Sequence, residues 1–324
     1  MERLFTALVV VIGVPAATVL YVYLVEQLLT RLPDRLATRL RPWFWVGPAL
    51  VLLFFYLVYP VINTLVLSLM NADSSSFVGL DNYIYSFTNS IMLSAFRNNL
   101  LWLVFCTTFT VGFGLLIAIM ADRVQYETIV KALVFLPMAI SYVAASVIWK
   151  LMYEYQPPVR PQTGTVNAIL TALVPNFEPV AWLINQPINN FALIAIGIWM
   201  WTGFCVVILS AALKGIPEEL LEAARIDGAN EFQILRHITL PLMSSTIAVV
   251  TTTMVINVLK VFDIVYTMTN GNFNTEVIAN RMYKEMFNVR HFGRASSIAV
   301  ILLLAIIPIM ILNIRRFREQ EAQR

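Results

Sequence analysis

Residues 214–241 read KGIPEELLEAARIDGANEFQILRHITLP. Pro217 sits where a helix can start, because the missing N–H belongs to a turn that leaves its N–H groups unbonded anyway. Leu220, Leu221, Ala223 and Ala224 then form an apolar face among acids. Gly228, directly after Asp227, is a helix stop. Asn230 is a good N-cap for a second short helix running to about His237, and Pro241 ends it. The pattern predicts two short amphipathic helices at right angles, joined by a tight glycine turn. Working outward, the loop is flanked by the charge-free stretches 188–213 and 242–259. A polar, helix-forming loop between two such stretches is surface structure on a membrane protein.

The whole chain agrees. Of 324 residues, 59% are hydrophobic and 13% charged, with a mean hydropathy of +0.75. Soluble domains carry about 25% charged residues. Disorder is excluded by the apolar content, and a soluble globule this size lacks the interior to hide it. Seven charge-free stretches approach span length: 4–25, 43–70, 98–121, 132–149, 188–213, 242–259 and 295–314. A span needs about 20 mostly apolar residues. No stretch alternates as an outer-membrane barrel strand does, so the spans are helices, which satisfy their own backbone in lipid. The predicted class is an all-α, polytopic membrane helical bundle.

Other chemistry is thin. Cys106 and Cys205 lie in apolar stretches and read as packing residues rather than a disulfide framework. His237 and His291 read as loop residues, and neither has the i, i+4 partner of a helical metal site. No H-E-x-x-H, G-x-S-x-G or paired intramembrane acids occur, which argues against an enzyme and assigns no catalytic residue. A net charge of +3, with bases at membrane edges, does not support nucleic-acid binding.

Lys and Arg counts set the orientation. The connections 26–42, 122–131, 214–241 and 315–324 hold 13, including Arg31, Arg35, Arg39, Arg41, Arg315, Arg316, Arg318 and Arg324. The other set is longer and holds nine, Arg3 and Lys260 among them. The first set therefore faces the cytoplasm, with the C-terminus inside and the N-terminus outside. The first stretch also resembles a signal peptide, but the apolar run continues past Ala16 and Ala17 to Val25, so it reads as an uncleaved anchor. Full crossing and a tilt at Gly13 and Pro15 both remain open. Pro15, Pro48, Pro60, Pro137 and Pro308 fall inside spans, where they shape the bundle or line a pathway that opens at kinks.

The string EAARIDGANEFQILRHITLP resembles the EAA motif of ABC-importer permeases: E-A-A, three residues, Gly, nine residues, Ile, one residue, Leu-Pro. Here it is Glu222, Ala223, Ala224, Gly228, Ile238, Leu240 and Pro241, with every spacing met. Asp227, Gly228 and Ala229 resemble the carbohydrate branch. FVGLDNY at 77–83, TGTVNAIL at 163–170, PVAWLINQP at 179–187, Trp199–Gly203 and FDIVYTMTNG at 262–271 carry the likeness across 43–315. The chain resembles the larger permease of the maltose importer. It departs from it in Asn272, which replaces the second glycine of a GGP turn, and in lacking that protein's large periplasmic domain.

The resemblance implies a six-helix type I permease core plus one extra N-terminal helix. The expected domains are an anchor and basic segment, 1–42, a permease domain, 43–315, with the 214–241 coupling helices, and a cytoplasmic tail, 316–324. It implies a multi-pass protein of the bacterial inner membrane, surrounded by lipid. The implied partners are a second permease subunit, a homodimeric or heterodimeric ATPase, and a periplasmic or lipid-anchored substrate-binding protein. No G-x-x-x-x-G-K-[ST] occurs here, so ATP and Mg are expected on the ATPase and no cofactor on this chain. Glu222 would pair with a base in an ATPase cleft, with Ala223, Ala224, Asp227, Gly228, Ile238, Leu240 and Pro241 completing the surface. Five acids against three bases in 214–241 disfavour the alternative of a helix lying on anionic headgroups.

Aligned to maltose-type permeases, the sugar pathway falls on Tyr142, Gly197, Trp201, Phe204, Met254 and Val258, with Met138 and Met200 beside them. Asn257, the amide of its span, is adjacent to one of these positions, and such a side chain faces a bundle interior. Packing is the alternative for each aromatic. Asp81, Asn82, Tyr83 and 271–280 would receive the binding protein or stand as solvated loop. A secondary transporter or channel is the rival class, and the absence of charges within the stretches disfavours it.

Overall fold

The computed structural model describes residues 2–322, with side chains described for 11–13 and 15–315. The side chains of Arg3, Arg316, Arg318 and Arg324, part of the charge asymmetry, lie outside these. Among the described residues the chain is helical and has no β-strand; one bridge joins Met70 and Phe77. Two compact units divide at residues 63 and 64. The domain boundary expected at residue 42 falls inside a helix.

In the first unit, α1 (Glu2–Leu29) runs on through Pro15. Arg35, Arg39 and Arg41 lie not in a loop but on α2 (Asp34–Leu67). Arg41 pairs with Glu26 at 2.8 Å and Tyr21 donates to the Phe44 carbonyl at 2.5 Å, tying the two helices. A π-turn at Phe54–Val58 precedes Pro60.

The second unit contains α3 (Asp81–Thr88), α4 (Ser90–Ala121), α5 (Glu127–Ala139), α6 (Tyr142–Met152) and α7 (Thr165–Leu173). It continues with α8 (Ile188–Lys214), α9 (Glu218–Ile226), α10 (Glu231–Leu259) and α11 (Asp263–Met268). Then come α12 (Ile278–Tyr283), a π-turn (Lys284–Asn288) and α13 (Phe292–Ala322). Six helices are long and apolar enough to cross a membrane, or seven if the bent pair α5–α6 is one span.

The core is built around α8, whose 27 residues extend about 40 Å. Small residues let neighbours approach closely. A Cβ on Gly203 would lie 2.5 Å from the Val134 carbonyl of α5, so glycine is required there. Trp102, Met200, Leu209, Met254 and Val258 fill the interior, and Cys106 and Cys205 are buried free thiols within it.

Two stretches differ from the reading above. The fourth, 132–149, is bent by 100°. Pro137 withdraws an N–H and stops α5, Ile140 is extended, and Ser141 caps α6 by accepting from the Ala144 N–H at 3.1 Å. The second surface helix expected at 230–237 is instead the first turns of α10, and Pro241 does not end it. A π-turn at Leu235–Thr239 widens the helix at His237, whose carbonyl the Pro241 ring would otherwise strike. Pro60 stands two residues beyond its own π-turn in the same way. His237 is accordingly helical rather than in a loop.

The segment after α10 folds inward rather than standing as solvated loop. Thr275, Glu276, Val277, Ile278, Ala279 and Asn280 are buried, and so is Glu285. Lys284 pairs with Glu276 at 2.8 Å, and Arg281 pairs with Glu285, which also accepts from the Tyr85 hydroxyl at 3.0 Å. The Arg294 guanidinium lies 3.9 Å from the Tyr85 ring centre. Burial, and next the charge of Arg294, push the His291 imidazole below its ordinary value.

Candidate functional site

At one end of the bundle, α9 opens after Pro217 with Glu218 and Glu219 in its first turn, where the helix dipole favours acids. It closes on Gly228, whose φ of +83° few side chains tolerate. The Gly228 N–H bonds the Arg225 carbonyl at 3.1 Å and the Ala229 N–H bonds that of Ala224 at 3.0 Å. Asn230 and Gln233 then form a reciprocal capping box that starts α10.

This geometry sorts the loop into two faces. Leu221, Ala224 and Ile234 turn inward, with Ile238 and Leu240 half-buried beyond them. Glu222, Ala223, Asp227, Gly228 and Pro241 are exposed. The Glu222 carboxylate has no hydrogen bond or ion pair among the described residues, and a side chain at Gly228 would enter open space. Ile226 and Phe232 expose 86% and 68% of their surface beside these acids, an apolar and acidic face suited to a protein cleft rather than to water. Glu231, by contrast, is engaged: it accepts from Arg225 at 3.1 Å and from Arg123 at 2.9 Å.

The second site lies at the α5–α6 break. Tyr142 opens α6, and its hydroxyl accepts from the Trp201 indole of α8 at 2.7 Å. Their rings stand edge to face, 6.1 Å apart. With Asn257 of α10 and Lys260, Val261 and Asp263 beyond it, they line a cavity of about 170 Å³. A neighbouring concavity of about 290 Å³, on Met138, Ser141, Met200 and Asp263, shares both aromatics. The aromatic edges, amide and two charges suit a ligand carrying both C–H faces and hydroxyls.

Four expected pathway residues do not line either concavity. Gly197 packs on Trp102, whose ring would lie 2.8 Å from an added Cβ. Met254 and Val258 are fully buried on the core side of α10, and Phe204 packs against the core. The apolar faces of α8 and α10 were taken as one surface, whereas Trp201 and Asn257 turn one way and these residues the other. Lys260 and Asp263 were missed: read as helix flanks, they are drawn to the cavity by the break at 260–262.

The expected docking residues are also rearranged. Asn82 is buried, donating to the Ser68 and Met70 carbonyls at 2.9 and 2.7 Å, and Tyr83 bonds Ser68, which leaves Asp81 exposed. Residues 275–280 are interior and present no docking surface. The substitution at Asn272 carries no backbone strain, because the left-handed positions of this turn are Asn270, Gly271, Phe273 and Asn274.

The model of the family described as binding-protein-dependent transport system inner membrane component matches residues 110–317. The chain is 60% identical over 280 residues to the osmoprotective compounds uptake permease protein GgtC of Synechocystis sp., covering 86% of this chain and 100% of that one. It is 49% identical over 282 residues to the alpha-glucoside transport system permease protein AglF of Rhizobium meliloti, covering 87% and 83%. In fold it resembles a chain of a bacterial ABC transporter that imports the acidic polysaccharide alginate. There the TM-score is 0.74 at 23% identity, over 88% of this chain and 99% of that one.

Proposed function

Since the chain belongs to the family of binding-protein-dependent transport system inner membrane components, we propose that it forms half of the pathway for a sugar or sugar-like solute and is driven through residues 222–241. Permeases of this family are multi-pass inner-membrane components, not enzymes. They work with a second permease, an ATPase and a periplasmic binding protein. The relatives' names, for osmoprotective compounds and alpha-glucosides, support a disaccharide, oligosaccharide or glucosylated compatible solute. ATP and Mg belong to the ATPase. The lysine and arginine distribution supports a cytoplasmic C-terminus and an outer N-terminus.

The observation that carries the reading is the outward face of α9. Glu222 is unpartnered among the described residues, Ala223 offers no bulk, and Gly228 faces open space. In this reading Glu222 pairs with a base in the ATPase cleft, and the small residues set a close fit. ATP-driven closure of the ATPases then rocks the two permeases between inward and outward access. The test is Gly228→Trp in the assembled importer in proteoliposomes. The chain is expected to insert normally, while uptake and substrate-stimulated ATP hydrolysis are lost. Gly228→Asn, which tolerates the left-handed backbone with less bulk, is expected to retain uptake. Normal uptake by the tryptophan variant would sink the proposal.

A further inference from the structure

Buried charges after α10 are paired: Lys284 with Glu276 and Arg281 with Glu285. Two charges in the same segment are treated differently. Lys260 caps the C-terminus of α10 and Asp263 opens α11, so the short break between them brings both to the cavity wall beside Tyr142 and Asn257. Among the described residues, neither side chain has a hydrogen bond or ion pair, including with the other. At the end of a membrane helix an unpartnered charge is expensive and marks a functional position. A lysine and a carboxylate kept apart on one wall make a cavity that has both charges and no net charge.

We propose that Lys260 and Asp263 form a charge-selectivity pair that admits uncharged polyhydroxyl solutes and rejects anions and cations. This rests on the sugar-permease reading above and names the class of solute. A neutral sugar satisfies both groups, because one hydroxyl accepts from Nζ while its neighbours donate to the carboxylate. A solute carrying a carboxylate is repelled by Asp263, and one carrying an amine by Lys260. Discrimination of this kind works by penalising the wrong ligand as much as by rewarding the right one.

The test uses the assembled permease–ATPase complex without its binding protein, so that selection upstream does not mask the cavity. Equilibrium dialysis compares methyl α-glucoside, methyl α-glucuronide and glucosamine. The unaltered complex is expected to prefer the neutral glucoside. Asp263→Asn is expected to raise glucuronide binding relative to glucoside about tenfold, and Lys260→Met to do the same for glucosamine, since removing one nearby charge removes a Coulomb term of at least that size. Size-exclusion chromatography follows subunit assembly in parallel. Unchanged ratios in both variants would overturn the proposal. So would release of the second permease by Lys260→Met, which would assign that charge to a subunit contact. If the unaltered complex bound none of the neutral sugars but took up a betaine, the sugar reading itself would fail.

Discussion

Trp201 contributes to the cavity less as an exposed platform than as a fixed wall. Only 6% of it is exposed, and its N–H is bonded to Tyr142. Trp201→Ala removes that wall and leaves the Tyr142 hydroxyl without its donor, so uptake is expected to fall about tenfold or more, mainly in kcat as the α6–α8 contact loosens. Asn257 is exposed to the cavity with its amide free among the described residues. Asn257→Ala is therefore expected to raise KM several-fold with kcat nearly unchanged, the signature of lost uniform binding. Uptake kinetics in proteoliposomes measure both, and unchanged affinity and rate in the two variants would refute the pathway assignment. The same residues mark the limit of the sequence. Capping, glycine turns and the spacing of Glu222 to Pro241 are local and were legible. Which face of α8 or α10 meets the cavity was not, because a helix that is apolar all round carries no periodic signal of its inward side. Hence Met254 and Val258 were grouped with Asn257.

The segment between α10 and α12 shows why element boundaries were harder still. Its polar residues read as solvated loop, yet their partners lie far away in sequence on α4 and α8. The Asn99 amide donates to the Leu259 carbonyl at 3.3 Å, and its oxygen accepts from the Ile278 N–H at 2.8 Å. One side chain thus pins both ends of the excursion that carries Lys260 and Asp263. Asn98 bonds the Asn274 and Glu276 carbonyls at 2.8 Å each, and Asn189 bonds that of Phe273 at 2.7 Å. Local patterns contain no trace of such pairings. The bend at Pro137 was half legible: the proline was visible, but its angle depends on the Ser141 cap that restarts the chain in a new direction. Asn99→Leu keeps the volume and strands the buried Ile278 N–H, at a cost of about 1–3 kcal/mol. The expected outcome is faster hydrogen exchange across 260–278 and a several-fold higher KM for uptake. Asn99→Asp keeps the acceptor and should fall between the two. Protection equal to the unaltered chain in Asn99→Leu would remove the asparagine clamp as a determinant of the cavity.

At the scale of the permease unit, the question is how movement at α9 reaches Tyr142, and charged contacts at the same end as α9 supply a route. Glu231 joins Arg225 of α9 to Arg123, which follows α4. Glu127, at the start of α5, is held by Lys214 of α8 at 2.7 Å and by Lys131 of its own helix. From Glu127, α5 runs to the break at Pro137, and Tyr142 begins the next helix. Displacing α9 therefore pulls on the turn that leads into the cavity's own element. The Arg123 and Glu231 side chains are more than half and half exposed, respectively, so the pair is worth only about 0–1 kcal/mol of stability. A substitution there should leave folding intact and act on transmission. Glu231→Lys and Arg123→Glu are each expected to hydrolyse ATP at near-normal rates while uptake per ATP falls several-fold. Combined, they restore an opposite-charge pair across the same gap and should recover at least half of the lost coupling, a non-additivity that independent effects would not produce. The measurement is solute imported per ATP hydrolysed in proteoliposomes for the two single variants and the double. If the double variant is as uncoupled as the worse single one, the Arg123–Glu231 contact transmits nothing, and movement of α9 must reach the cavity through the packing of α10 instead.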